Sequence, residues 1–259
     1  MKSALQNLIP PIAVFACVLL VWHFAAQQST PLVLPAPAAV WKAAVERSDL
    51  FLQAAWITGA AALCGLGSSI ITGTLVAFAF SQSRHIRSAF YPYAIFLQTV
   101  PIVAIAPLVI IWFGHGFHSV VIVSFIISLF PIITNTTTGL LQVDSNLQDL
   151  FRLHDASWLQ MLLKLRLPAA VPYLIAGIRI SAAIAVVGAI VGEFFVGFQA
   201  DNFGLGYLIR TKNTEMKIDQ LFAAVIASTL LGVIVFTVVT VTGNWILNRW
   251  YSETGSNAN

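Results

Sequence analysis

Charge is what this sequence most lacks. Its 259 residues include thirteen Lys and Arg and ten Asp and Glu, or 9% charged, against 58% hydrophobic residues and a mean hydropathy of +0.86. Soluble domains carry about 25% charged residues. So few charges cannot cover a water-facing surface, which excludes an ordinary soluble globule and leaves lipid to cover much of the chain. Cysteine is nearly absent too. Cys17 and Cys64 both lie inside apolar runs, neither has metal-ligand spacing, and both read as small lipid- or core-facing residues. The net charge of +3 comes without a basic run, which argues against a nucleic-acid face. No Gly-x-x-x-x-Gly-Lys-Ser/Thr loop occurs, so the chain has no such phosphate cradle for ATP. Strict ten-residue alternation, the mark of a membrane barrel, is missing as well.

What the sequence has is long uncharged runs. A membrane span needs roughly 20 mainly apolar residues. Such runs cover about 8–26, 52–80, 90–112, 120–141, 169–191 and 221–247. The third and fourth are separated by Phe113-Gly114-His115-Gly116, a turn signal. The expectation is an all-α integral membrane bundle of about six transmembrane helices, with residues 1–259 forming one transmembrane domain. Lys2 and the run after it read as a span and not a cleaved leader, because Trp22 and His23 stand where small residues would mark cleavage. With six spans both termini share a side. That side holds Lys2, Arg84, Arg87, Arg152, Lys164, Arg166 and Arg249, against Lys42, Arg47, Arg210, Lys212 and Lys217 on the other, with Arg179 inside span five. The bias favours both termini in the cytoplasm. Outside then lie a short helix over 38–46, after Leu34-Pro35-Ala36-Pro37, and a polar, Gly-rich segment over 197–219.

The inner segment 144–167 carries the most information. Ser145 with Gln148, and Ser157 with Gln160, fit capping boxes. Leu147, Leu150, Phe151 and His154 fall on one face of the first helix. Pro168 is expected to end the second helix, since proline inside a helix removes a bond and clashes with the preceding turn. The segment reads as helix, turn, helix. Its apolar face suits either the bilayer surface or a groove in a soluble subunit.

This segment resembles the loop by which membrane subunits of bacterial ATP-binding-cassette importers meet their ATPases. The family pattern is Glu-Ala-Ala, three residues, Gly, about a dozen residues, Leu-Pro. Asp149-Leu150-Phe151 stands at the first positions, Asp155 at the glycine and Leu167-Pro168 at the end. The spacing matches and the identities depart. Leu150 and Phe151 imply a wider or shallower docking groove, and Asp tolerates the left-handed conformation better than most residues. The likeness extends over about 30–245. Leu34-Pro35-Ala36-Pro37-Ala38-Ala39-Val40-Trp41, Gln98-Thr99-Val100-Pro101, Ala106-Pro107-Leu108, Trp112 to Gly116, Phe130-Pro131, Asn135-Thr136 and Gly139-Leu140 occur in the family's order. So do Ala176-Gly177-Ile178-Arg179, Gly192-Glu193-Phe194 and Gly204-Leu205-Gly206. They resemble the nitrate, sulfonate, taurine and bicarbonate subfamily, and importers of a thiamine pyrimidine or riboflavin about equally.

The resemblance implies a type I importer permease in the bacterial inner membrane, working with a second copy of itself, cytoplasmic ATPase subunits and an external substrate-binding protein. ATP and Mg would be used by the ATPase subunits and no cofactor would be bound by this chain. The coupling residues would be Asp149, Leu150, Phe151, Arg152, His154, Asp155 and Ala156. The cargo would be a nitrate- or sulfonate-like anion or, alternatively, a heterocyclic vitamin precursor.

Ionisable groups inside spans are costly and are candidates by default. Arg179 reads first as a structural Arg and second as an anion-attracting pathway residue. Glu193 reads first as an interface carboxylate or a partner for Arg179. Fourteen residues of one straight helix separate them by roughly 21 Å, which excludes pairing within it. Pro92, Pro101, Pro107 and Pro131 interrupt spans three and four, so the pathway is expected along spans three to five, with Gln98, Pro101, Asn135, Arg179 and Glu193 as candidates. Gly59, Gly65 and Gly73 allow close helix approach, and span Ser and Thr are expected to bond their own backbone. His115 and His118 have i, i+3 spacing but no Cys, Asp or Glu beside them, so no metal is expected. No catalytic constellation is present. An intramembrane enzyme would need paired acids or histidines on facing spans, and an ATPase-independent transporter would predict inverted repeats.

Overall fold

The computed structural model describes residues 2–196 and 203–256. Among them every regular element is helical. In chain order they are α1 (Lys2–Gln28), α2 (Pro37–Glu46), α3 (Ser48–Gln82), α4 (Arg84–Thr99), α5 (Ile102–Phe113), α6 (Phe117–Leu141), α7 (Ser145–Leu153) and α8 (Trp158–Met161). A five-residue π-helix (Leu162–Arg166), α9 (Leu167–Val196), α10 (Leu205–Thr214) and α11 (Ile218–Ser256) complete the chain. Five helices are long and apolar enough to cross a membrane, and the pair α4–α5 makes a sixth span if counted together. The polar, Gly-rich segment 197–219 holds a helix, α10; its first residues, 197–202, lie outside the described ones.

The third span is not one helix. α4 and α5 meet at a 99° bend. Proline disfavours the helical conformation in the residue before it. Val100 accordingly sits extended at φ −71°, ψ 125° ahead of Pro101, and the helix restarts at Ile102. Pro92, Pro107 and Pro131, by contrast, sit inside α4, α5 and α6 without ending them. Gly114 (φ +83°) and Gly116 (φ +149°) make the expected turn into α6.

α6 is the central helix, packed against α3 and α9. Small residues set the approach. A Cβ on Gly65 of α3 would lie 2.5 Å from Ser124 Oγ, and one on Gly188 of α9 would lie 2.8 Å from Ser124 Cα. A Cβ on Gly59 meets Leu231 at an ordinary 3.4 Å, so that glycine is not needed for closeness. Serines then tie the three helices together, contrary to the expectation that they serve their own backbone. Ser69 Oγ donates to Phe125 O at 2.8 Å, Ser124 Oγ to Ala185 O at 2.9 Å and Ser181 Oγ to Ser128 O at 2.6 Å. Without water to compete, a carbonyl freed by a tight crossing is worth satisfying from the next helix. Other span hydroxyls, such as Thr134 and Ser228, do bond the carbonyl four residues back.

α1 stands at the edge. Trp22 Nε1 donates to Pro35 O at 3.1 Å and its ring stacks on Phe222, whereas Val14, Phe15 and Leu20 are exposed.

Candidate functional site

α6 ends at Leu141, and two short helices follow before the chain re-enters the bundle. Asp144, not Ser145, is the N-cap of α7: its Oδ1 accepts from Asn146 N at 2.8 Å. Asp is as good a cap as Ser, and the chain turns one residue earlier. Gln148, freed from a capping box, donates instead to Val143 O at 3.0 Å. Ser157 and Gln160 do form the reciprocal box expected of them, with Ser157 N donating to Gln160 Oε1 at 2.8 Å.

No residue of α7 is buried. Leu150 is 48% exposed and Leu153 81%, so two leucines of this nine-residue helix present apolar surface that this chain does not cover. Asp149 pairs with Arg152 at 3.3 Å, fully in the open, where such a pair contributes little to stability. The pair therefore leaves its charges available to a partner. The turn after α7 closes by Asp155 N to Arg152 O and Ala156 N to Phe151 O, both at 3.0 Å, while His154 Nδ1 lies 2.9 Å from Leu150 O. Asp155 holds φ +50°, the left-handed conformation for which Asp is among the better non-glycine residues. Between α7 and α8 lies an open depression of about 370 Å³ lined by Leu150, Phe151, His154, Ala156, Gln160 and Lys164. Trp158 lies edge-on to Phe78 of α3 at 6.4 Å and fixes the start of α8 to the bundle.

Pro168 does not end the second helix. The chain runs from α8 through the π-turn into α9. A π-turn widens the helix and shifts its bonds to i+5, which accommodates the missing N–H and the ring of Pro168. Leu162 and Leu165 are buried along it. α8, the π-turn and α9 thus form one continuous rod, and α7 is attached to its end by the turn over 154–157.

The five pathway candidates do not form one constellation. Gln98 and Pro101 lie exposed at the α4–α5 bend. Asn135, half-buried on α6, donates to Pro131 O at 2.8 Å beside Gly177 of α9. Arg179 Nη2 donates to Asn244 Oδ1 of α11 at 2.6 Å, and its Nε is buried with no hydrogen-bond partner. Glu193 is buried at the far end of α9. Its Oε2 accepts from Thr58 Oγ1 at 2.8 Å and from Gly206 N at 2.9 Å, and Thr58 Oγ1 in turn accepts from Leu205 N at 2.8 Å. Glu193 and Thr58 therefore cap the N-terminus of α10 by accepting from N–H donors that no earlier turn can satisfy. Gly204 has no room for a Cβ beside that carboxylate. Glu193 is a buried capping carboxylate, and Arg179 bonds Asn244 instead of it. Thr58 and Asn244 escaped the sequence reading. The only signal for Asn244 was its place in a Thr-Gly-Asn break within an apolar run. His118 Nε2 lies 2.6 Å from Phe113 O and lines the Gly-rich turn with His115 nearby in sequence.

A sequence model described as a binding-protein-dependent transport system inner membrane component matches residues 69–250. A probable ABC transporter permease protein of Haemophilus influenzae is 31% identical over 94% of this chain and 97% of its own length. The formylaminopyrimidine transport permease protein ThiX of Halalkalibacterium halodurans is 31% identical over 92% of this chain and 94% of its own. A putative aliphatic sulfonates transport permease protein, SsuC of Bacillus subtilis, is 32% identical over 66% of this chain and 59% of its own. Among solved structures, an inward-facing MetNI methionine ABC transporter aligns with a TM-score of 0.66 at 16% identity, covering 79% of this chain and 98% of that one. That likeness carries the fold.

Proposed function

The chain belongs to the family of binding-protein-dependent transport system inner membrane components, and from that premise we propose that it forms the translocation pathway of an ATP-driven importer. The family's members are transport subunits, so the chain moves a solute and does not transform one. The supporting observation is the α7–α8 segment: exposed leucines and an open ion pair on α7, joined by a closed turn to α8, which passes without a break into α9. A groove on a cytoplasmic ATPase subunit would take Leu150, Leu153 and Phe151 as helix-in-groove anchors. The ATPase subunits bind ATP and Mg. Their closure pushes the rod, α9 turns against α6, and the bundle changes the side to which it opens.

This assignment orients α7–α8 and both termini toward the cytoplasm, and α2 and α10 toward an external binding protein. A second copy of this chain completes the pathway, and lipid covers the rest. For the cargo, a heterocyclic vitamin precursor is supported by the formylaminopyrimidine relative, which matches over almost the whole chain. An oxyanion such as a sulfonate or nitrate is supported by the sulfonate relative, matched over 66% of it.

The test is gentle affinity purification of the tagged chain from its native membranes, with mass spectrometry of what accompanies it. An ATPase subunit near equal stoichiometry is expected. Reproducible purification of the chain without any ATPase would overturn the reading.

A further inference from the structure

The break between α4 and α5 lies at membrane depth and not at an end of the bundle. Ile102, Ile105 and Ala106 of α5 belong to one apolar cluster with Val123 and Ile126 of α6. Tyr91 and Pro92 of α4 face Thr137 and Thr138, near the other end of α6. The break is therefore opposite the interior of α6, roughly 13 Å along it from Phe117 at 1.5 Å per residue. It is also open: Gln98, Thr99, Pro101 and Val103 are exposed. The backbone ladder stops on one side and restarts on the other. Val100 N reaches back to Phe96 O at 3.2 Å, and Ala104 N to Pro101 O at 2.9 Å. Between them the carbonyls of Leu97, Gln98, Thr99 and Val100 accept no hydrogen bond from the described residues, and the Ile102 and Val103 amides donate none to them. The Gln98 carboxamide is unused as well.

Lipid cannot cover such a surface. Irregular backbone at membrane depth persists only where protein buries it or water fills the space beside it. A soluble subunit does not reach this depth. Water inside a bilayer needs walls all round, and this chain supplies one of them. The missing wall is another membrane chain. The patch carries unused donors and acceptors side by side, so a copy related by a two-fold axis presents acceptors to its donors and donors to its acceptors. Phe96 and Val103, 64% and 55% exposed, flank it with apolar surface that can seal the rim.

We propose that the α4–α5 break faces the same break of a second copy of this chain, directly or across a file of water, and that the two breaks form the polar middle of the space between the copies. The proposal rests on the reading of the chain as half of a pathway. The stretch from Ser88 to Gly114 holds no charged residue, so a solute passing this wall meets hydrogen-bonding groups of both kinds and no charge.

Cysteine cross-linking in native membranes tests it. The two natural cysteines, both exposed, are first replaced (Cys17→Ala/Cys64→Ala). Gln98→Cys is then compared with Leu75→Cys, an exposed position on α3 two residues from Gly73, which lies against Ile132 in the interior of α6. A short and a long bifunctional thiol reagent are applied, and mass spectrometry identifies the adducts. The expected result is a dimer of this chain several-fold more abundant at Gln98→Cys than at Leu75→Cys. A dimer no more abundant than at Leu75→Cys, or adducts with a different membrane protein, would overturn the proposal. If Gln98→Cys does not insert, Thr99→Cys serves the same decision, since the Thr99 hydroxyl bonds only Phe96 O of its own turn, at 2.8 Å. A chain that cross-links at the break yet purifies without an ATPase keeps this proposal and loses the importer reading. A chain that purifies with an ATPase and does not cross-link there loses this proposal alone.

Discussion

The α3–α6–α9 core and the α7–α8 segment are built on opposite terms. In the core, glycines bring backbones into contact and serines bond across from helix to helix. In α7 no residue is buried, and its order comes from caps and from the turn with a left-handed aspartate that joins it to α8. The core is made to resist change, while the loop is left with unsatisfied apolar surface. Under the proposed function, that division would separate the part that moves as a rigid body from the part that docks on the ATPase.

Four substitutions would break or sharpen this contrast. The largest effect is expected at the α6–α9 crossing. Gly188→Leu drives a side chain into the Ser124 backbone and should destabilise the bundle by about 1–3 kcal/mol or more, seen as a loss of folded protein in detergent by size-exclusion chromatography. Glu193→Ala comes next. It strips the α10 cap of a buried acceptor and should cost about 2–3 kcal/mol, with Glu193→Gln milder because one acceptor oxygen remains. Thermal unfolding followed by circular dichroism in detergent would rank the two. In the loop, Asp155→Val should cost about 1–2 kcal/mol of local stability because a β-branched residue resists the left-handed conformation. Asp155→Gly should be nearly neutral, and hydrogen exchange of the 152–157 amides distinguishes them.

The smallest effect is expected in the outer turn between α10 and α11. Lys212 and Lys217 lie 2.8 and 3.0 Å from Glu215 and hold its carboxyl below the usual range. A lowered folded pKa means a contribution that is present above the unfolded value and is lost as pH falls through the folded one. Glu215→Gln should therefore flatten a slight loss of stability on acidification, and otherwise leave the melting temperature unchanged.

How much of this was legible in the sequence depended on whether the signal was local. All the spans but the third, the Gly114–Gly116 turn, the Ser157–Gln160 box and the aspartate at 155 are set by residues a few positions apart, and each lies close to where it is expected. Pro101 was one of four prolines in spans three and four, and nothing in its own neighbourhood showed that it alone would bend the chain while Pro92, Pro107 and Pro131 would not. Pro168 misled for a related reason: a π-turn absorbs it, and hydrophobic periodicity does not register a change from i+4 to i+5 bonding. The serine bonds, the Glu193–Thr58 cap and the Arg179–Asn244 pair join residues 53 to 135 positions apart, so they become visible only when the helices are side by side. The helix–turn–helix over 145–161 was legible because such geometry depends on caps more than on the exposed side chains, although the first cap falls on Asp144 and not on Ser145.

The central claim is that α7 is left bare to dock on an ATPase subunit. A photo-crosslinking amino acid placed at Leu153, the most exposed leucine of α7, tests it in native membranes. The account predicts an ATPase subunit as the main adduct, diminished when Asp149→Lys is added while the protein still inserts. Adducts confined to lipid or to this chain itself would contradict it.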